Sequence, residues 1–408
     1  MGMGLDRRQV LTAGAVGAGA LLAGCGTTTT ATGPPSSSSA APRRASRRRE
    51  RLIGDGSTAD TGPQPHQPRV HKLAKGEAPP QFVVVSWDGA GETSSKLFSH
   101  WLEVARRHEV PMTFFLTGIY LLPGKQRHRY APPRHPVGAS DLGWLPDRFV
   151  HATIRQVRRA WLDGHEIGTH FNGHFCGPAK GVSTWSVDDW LSEIEQAQEF
   201  VTSWRSTTGL TDEPPLPFDY GKEVVGGRTP CLEGTDNLRK AAAQLGWRYD
   251  SSGTRLATWP TKVEGLWDLS LQQVPFPGHD FEVTAMDYNI MFNQSEVTDG
   301  DPAMHDTWRA QARDAYLAGF RRSLEGNRSP LVIGNHFEQW NGGIYMDAVE
   351  QAIETMAQEP QTRFVTMRQL CDWLDAQDPD VIAGLQGLTA APEGGWRGWE
   401  PGGTPAVR

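Results

Sequence analysis

The sequence predicts an α/β fold in which a parallel sheet, its strands alternating with helices, closes into a barrel. Three observations predict it. From Pro80 onward, short apolar runs alternate with segments whose large hydrophobes recur every three to four residues, the pattern of βαβ units. The first run, Phe82-Val83-Val84-Val85-Ser86-Trp87, is almost continuously apolar, as a strand buried on both faces must be. Polar residues then stand just past several runs, at Trp87-Asp88, His170 and Asn335-His336, where the carboxyl ends of parallel strands would collect them.

The elements follow in order. Leu97, Trp101, Val104 and Ala105 share a helical face, and Met112 to Leu116 forms a second strand. Ile154, Val157 and Trp161 mark a helix, and Glu166-Ile167-Gly168-Thr169-His170 a third strand. Ser186 and Asp189 make a capping-box-like start for a helix presenting Trp190, Ile194, Ala197, Val201 and Trp204 on one side. Leu331-Val332-Ile333 and Phe364-Val365-Thr366 are strands, each followed by a helix, marked by Val349, Ile353 and Met356 and then by Leu370, Trp373 and Leu374.

The two ends differ from this body. Residues 1–25 read as an export signal: Arg7-Arg8 before Gln9-Val10-Leu11 is a twin-arginine pattern, and the apolar run from Val10 to Gly24 is too short to span a bilayer. It ends Leu22-Ala23-Gly24-Cys25, a lipobox-like ending with Cys25 as the lipid attachment residue. Residues 26–79, rich in Pro, Ser, Thr and Arg, hold few large hydrophobes and are expected to be a disordered tether. The folded domain is expected over 80–377, with a loose Gly/Pro-rich tail over 378–408. The implied setting is export, with the protein a monomer held by lipid on the outer face of the membrane or secreted. The net charge of −7 divides into +6 over residues 1–80 and −13 over the rest, and the acidic body argues against nucleic acid as the main partner. With 45 glycines and 29 prolines in 408 residues, coiled coils and helical arrays are excluded.

If Cys25 carries lipid, Cys176, Cys231 and Cys371 remain, an odd number for an oxidising compartment. Cys176 and Cys231 flank segments assigned below to one site. Either they bridge or all three are free thiols.

The strongest chemical signal is Gly164-His165-Glu166-Ile167-Gly168-Thr169-His170-Phe171-Asn172-Gly173-His174. One helical turn or a tight loop could aim His170 and His174 at a single point. Asp88, ending the first strand, would complete a two-histidine, one-carboxylate metal site. Most histidine pairs at this spacing are surface or packing residues, so the pair alone is weak.

Further motifs occur in order: Ser86-Trp87-Asp88-Gly89, His170-x-x-x-His174, Arg228-Thr229-Pro230, Trp247-Arg248-Tyr249-Asp250-Ser251-Ser252 and Ile333-Gly334-Asn335-His336. Together, over roughly Pro80 to Ala376, they resemble the NodB-like polysaccharide deacetylases (carbohydrate esterase family four). The resemblance implies a deformed (β/α) barrel and a divalent metal, usually zinc, with cobalt or nickel as alternatives. It implies hydrolysis of N-acetyl groups on a glycan partner such as peptidoglycan or chitin. By position it makes Asp88, His170 and His174 the metal ligands, His336 the general acid, Asp250 the carboxylate orienting that histidine, and Arg228 the arginine paired with the catalytic base. Trp87, Pro230 and Trp340 are candidates for contact with substrate, and Trp259, Trp267 and Tyr288 for stacking on a sugar face.

One departure stands out. The family's first motif carries two aspartates before glycine, base then ligand, and this chain has Trp87 in the base position on that alignment. Three readings stay open. Glu92 or Asp287 could supply the base; metal-bound hydroxide could act without one, at a loss of about 10²–10⁴-fold; or the domain binds metal and glycan without turnover.

Overall fold

The computed structural model describes residues 50–400. Arg7, Arg8, Cys25 and the rest of the expected signal lie outside the described residues, as do residues 26–49 and 401–408.

A short hairpin, β1 (Arg51–Ile53) and β2 (Thr58–Asp60), precedes the barrel. The barrel opens with β3 (Gln81–Ala90), α1 (Leu97–His108) and β4 (Thr113–Leu116), and α2 (Asp147–Leu162) leads into β5 (Glu166–Thr169). Next come α3 (Val187–Thr202), α4 (Trp204–Thr208) and α5 (Tyr220–Glu223). Strand β6 (Gly226–Gly227), α6 (Thr235–Gln244) and β7 (Tyr249–Asp250) follow. Five short strands come after: β8 (Thr254–Arg255), β9 (Lys262–Val263), β10 (Leu266–Asp268), β11 (Leu271–Pro275) and β12 (Glu282–Thr284). Helices α7 (Asp287–Gln294) and α8 (His305–Glu325) then reach β13 (Leu331–His336). The described chain closes with α9 (Trp340–Ala357), β14 (Thr362–Phe364), α10 (Met367–Ala376) and α11 (Pro379–Gln386).

The main sheet runs β13-β3-β4-β5-β6-β7-β10-β9, parallel throughout except for β9, and β14 pairs with the start of β3. A second sheet, β12-β11-β8, takes its strands from both sides of β9 and β10 in the chain. Ala285 donates its N–H to Gln272 of β11 and accepts from Gly334 of β13, and Met286 bridges to Gly334. That strip turns the curled sheet back toward its own far edge and makes a deformed, incompletely hydrogen-bonded (β/α) barrel. The capping box at Ser186 and Asp189 forms as the sequence predicts.

Alternation along β3 sorts its side chains into two layers. Val83, Val85 and Trp87 join a core with Phe98, Trp101 and Phe114, while Phe82 and Val84 join Phe115, Leu370 and Trp373. Both layers are dry, which explains the unbroken apolar run.

Both flanks correct the sequence reading. Residues 50–79 are not a free tether within the described chain. The β1–β2 hairpin docks by main chain: Ala59 donates to the Leu216 carbonyl, and Trp204 donates its indole N–H to Ser57. Gln64 then donates to the carbonyls of Trp161 and His165. Composition misses this attachment because amides and backbone make it, not large hydrophobes. At the other end, α11 is ordered, and Val381, Leu385 and Trp399 are buried in the second core layer.

Candidate active site

The first site residue is set by strand pleat. Trp87 is fully buried, its ring 4.1 Å from Trp101 and 5.3 Å from Phe337, and its indole N–H points at the Met112 sulfur. It faces the core and not the substrate, so its expected contact with substrate is not found. Asp88, one residue on, faces the opposite way and lines a cavity of about 110 Å³ with Tyr120, His170, His174, His336 and Glu338. The register of β3 against β4 slips between Asp88 and Ala90. Gly89 occupies that bulge with φ of 72°, and a Cβ there would meet only Thr117 Oγ1 at 3.9 Å.

Asp88 is held by Arg228, which is itself wholly buried. Arg228 Nη1 donates to Asp88 Oδ1 at 2.8 Å, while Nε and Nη2 donate to the Ser251 carbonyl and hydroxyl. The guanidinium also lies 4.8 Å from the Phe115 ring centroid. Burial works to raise the Asp88 pKa, but the Arg228 charge, with His170 and His336, overcomes it and holds the carboxyl below its ordinary value.

His336 ends β13 directly beside Asp88 in register. Its partner is Asp287, not Asp250. Asp287 is fully buried at the start of α7; Oδ1 accepts from His336 Nδ1 at 2.7 Å and Oδ2 from the His336 backbone N–H at 2.7 Å. Burial disfavours the imidazolium, yet the Asp287 charge and hydrogen bond prevail and raise its pKa to about 9. Asp250 instead accepts from Arg239 Nε at 2.7 Å and from Ser252, far along the sheet from His336 in strand order. The sequence reading put Asp250 here because it ends a strand in the expected motif; a loop segment from after β12 reaches the histidine first.

His170 and His174 meet across a tight loop, not a helical turn, with ring centroids 5.1 Å apart. Phe171 and His174 both hold positive φ, 60° and 57°, a strained backbone for non-glycine residues. Glu193 of α3 holds the loop from behind: it is buried and accepts from the Tyr130 hydroxyl and the N–H groups of Asn172 and Gly173. Burial raises its pKa to about 7. His170 donates from Nδ1 to the Arg228 carbonyl at 2.8 Å, leaving Nε2 with its lone pair. Burial lowers the His170 pKa to about 3 and that of His174 in the same direction, so both rings are neutral donors of electron pairs.

These rings fit a divalent ion through two imidazoles. Asp88 is less available, since one oxygen is committed to Arg228. Among the described residues, the trio whose ligand atoms come within 4.8 Å of one another is His174, Cys176 and Cys231. Asp88, His170 and His174 do not form such a trio. The two cysteines are joined in a disulfide that ties the His174 loop to the segment after Arg228, so they offer no thiolate. Cys371 is free and buried.

The other expectations divide. Trp340 is outside the cavity lining but packs next to it, its ring 5.3 Å from His336 and 5.7 Å from Tyr288, which is 46% exposed. Pro230 is buried in a turn leading into the bridged Cys231 and lies outside the cavity lining. Trp259 and Trp267 are core residues whose indole N–H groups go to Asn327 and Asp375. Glu92 accepts from the Ser99 N–H in the first turn of α1 and does not line the cavity. Glu338, in the stretch after His336 that the sequence assigns to a sugar-facing mouth, does line the cavity, whereas Glu193 and Tyr120 were not singled out from sequence. Of these, Glu193 was legible: it sits one turn after Trp190 and one before Ala197 on an apolar face, where a lone carboxylate needs a reason.

No protein-family model matches the chain, and no curated protein matches it. Solved structures do match at low identity. The chain is similar to a protein described as a polysaccharide deacetylase from Mycobacterium smegmatis, at 16% identity over 74% of this chain and 94% of that one, with a TM-score of 0.43. It is similar to a family 4 acetyl xylan esterase from Clostridium thermocellum in complex with a cobalt ion, at 16% identity over 74% and 96%, with a TM-score of 0.39. A mutant of a CE4 family pseudoenzyme with restored activity matches at 13% identity over 73% and 70%, with a TM-score of 0.38.

Proposed function

We propose that the chain is a hydrolase that removes acetyl groups from an N-acetylated cell-envelope or chitin-like glycan. One observation carries the reading: a carboxylate held by a buried arginine and an imidazole held by a buried carboxylate end neighbouring strands and line one small cavity with two further histidines. A cavity of about 110 Å³ takes the place of only three or four waters at ~30 Å³ each, so it suits an acetamido group while the sugar ring stays outside. Tyr288 and Trp340, both neighbours of the His336 ring, would offer that sugar an aromatic face.

In this reading Asp88 is the base and not a metal ligand, because its pairing with Arg228 is what the resemblance implies for the base. Trp87 then replaces nothing, and the ligand position falls on Gly89. His170 and His174 would hold a divalent ion, zinc, cobalt or nickel, which when bound polarises the amide carbonyl. Asp88, ionised through neutral pH, accepts a proton from the attacking water. His336, charged below about pH 9, gives its Nε2 proton to the departing amine as the C–N bond breaks, yielding acetate and a free amino sugar. Arg228 and Asp287 move no proton; they hold the two reacting groups in orientation and charge.

If Asp88 is instead the metal ligand, with the buried Trp87 in the base position, a second reading follows, a domain that binds metal and glycan without turnover. The test is acetate release from chitooligosaccharides and peptidoglycan fragments with zinc, cobalt or nickel present. Release that falls about 10²–10⁴-fold in Asp88→Asn supports the enzyme. Metal and glycan binding with no acetate in any combination supports the binder. The signal at 1–25 extends the proposal to an exported lipoprotein, anchored through Cys25.

A further inference from the structure

A cavity lined by the N-terminal arm and the barrel lies away from the active site. Its volume is about 790 Å³, and it opens at the amino ends of the parallel strands. Val110 and Pro111 just before β4, Gly164 and His165 just before β5, and Arg363 of β14 form its walls. Its remaining side comes from the N-terminal arm, through His66, Pro68 and Arg69. The arm is fixed there: Gln64 donates to the His165 carbonyl, and Gln67 exchanges hydrogen bonds with Gly164 and Gln369.

Three donors approach this space from three elements. The side chains of Arg69 in the arm and Arg363 in β14 line it and make no hydrogen bond or ion pair among the described residues. His165 is only 4% exposed, and its Nδ1 accepts from the Met112 N–H at 3.0 Å. That bond fixes the ring proton on Nε2, which has no partner among the described residues. Burial keeps the ring neutral, so Nε2–H is a permanent donor. The opposing charges are modest. Asp163 is paired with Arg159 and Arg106 with Glu103, which leaves Glu109 as the one uncommitted carboxylate on the wall against two uncommitted guanidiniums.

We infer that this cavity is a binding site for a phosphate group carried on a small organic body. Two guanidinium forks favour a dianion over a monoanion. Donors carried on three separate walls of the cavity suit a tetrahedral oxyanion better than a planar carboxylate. The volume exceeds what a bare phosphate needs and lies within the ~300–1,000 Å³ usual for small-molecule sites. The body of the ligand would rest on the apolar part of the wall, Ala105, Val110, Pro111 and Phe364.

Calorimetric titration of the full chain at low ionic strength tests this, with inorganic phosphate, glycerol phosphate and acetate as probes. The expected result is saturable binding of both phosphates, tighter for glycerol phosphate, with acetate at least about tenfold weaker. The double variant Arg69→Ala/Arg363→Ala, both exposed positions, should lose about tenfold or more in phosphate affinity while its melting temperature and any acetate release stay at wild-type level. Vesicles of phosphatidylglycerol distinguish a lipid headgroup as the source: sedimentation with vesicles that the double variant loses supports the site on a membrane lipid. Absence of saturable phosphate binding, equal binding of acetate, or unchanged binding by the double variant would overturn the inference.

Discussion

At the scale of single residues, the site is a set of paired decisions about protonation. Asp287 decides that His336 is charged, since burial alone would make it neutral. Turnover should therefore hold level through neutral pH and fall as pH rises through about 9, where the acid loses its proton. In Asp287→Asn, burial is left without its opponent, so the alkaline limb should move below the ordinary histidine value near 6.5. A pH–rate profile of the two proteins checks this; coincident limbs would assign the acid elsewhere. Gly89 carries the second prediction. Its positive φ is one that aspartate tolerates better than most residues, and its Cβ position is open. Gly89→Asp should thus bind zinc at least about tenfold more tightly in a metal titration. The histidine pair, His336 and Arg228 were legible in the sequence because motif order and strand ends mark them. The burial of Trp87 was not read from the motif because letters ignore pleat, and alternation sends position 87 to the core once 88 faces the cavity.

At the scale of elements, what matters is how a strained loop is kept in shape. The His170–His174 loop carries two left-handed non-glycine residues and leans on one carboxylate from α3. Glu193→Ala would strand three buried donors, a loss of about 3 kcal/mol or more at ~1 kcal/mol or more each. Glu193→Gln should keep most of the fold while loosening the loop. Because burial raises the Glu193 pKa above its unfolded value, its protonated form favours folding: that contribution is full below about pH 4.5 and is lost as pH rises through about 7. Chemical denaturation between pH 4.5 and 8 should show this slope in the wild type and a flatter one in Glu193→Gln. Strand and helix identities from Phe82 to Trp204 and from Leu331 to Leu374 were readable from periodicity, whereas α6, α7 and α8 between them were not assigned from sequence. The two-residue strands β6 to β9 were not, because so few residues cannot display a period. Asp287 could not be placed on His336 from sequence, since 49 residues separate them and only the strip joining β11 to β13 brings them together.

At the scale of the whole molecule, the boundary between N-terminal segment and body moves. Composition draws it at residue 79, whereas hydrogen bonds draw it near residue 50. Removing residues 1–49 should leave the melting temperature of the body unchanged. Removing 1–79 should lower it by about 5 °C or more, because it strips the partners of Trp204, Leu216 and Gln377. A scanning calorimeter distinguishes these outcomes. The charge division also sharpens, for the acidic remainder of the chain now includes an ordered arm that carries arginine to the amino end of the sheet.

The seating of that arm has a mechanical consequence. It fastens to the loops that lead into β5 and β6 and to the end of α10, all remote from the carboxyl ends where Asp88 and His336 stand. A pull on the chain from its N-terminal side would therefore act on the hairpin and the glutamine side chains first, peeling them one bond at a time. The strands that hold the reacting groups would feel the load only after that seam had opened. An enzyme moored by its leading end and working on a stiff, moving polymer would in this way have a part that yields before its chemistry is disturbed.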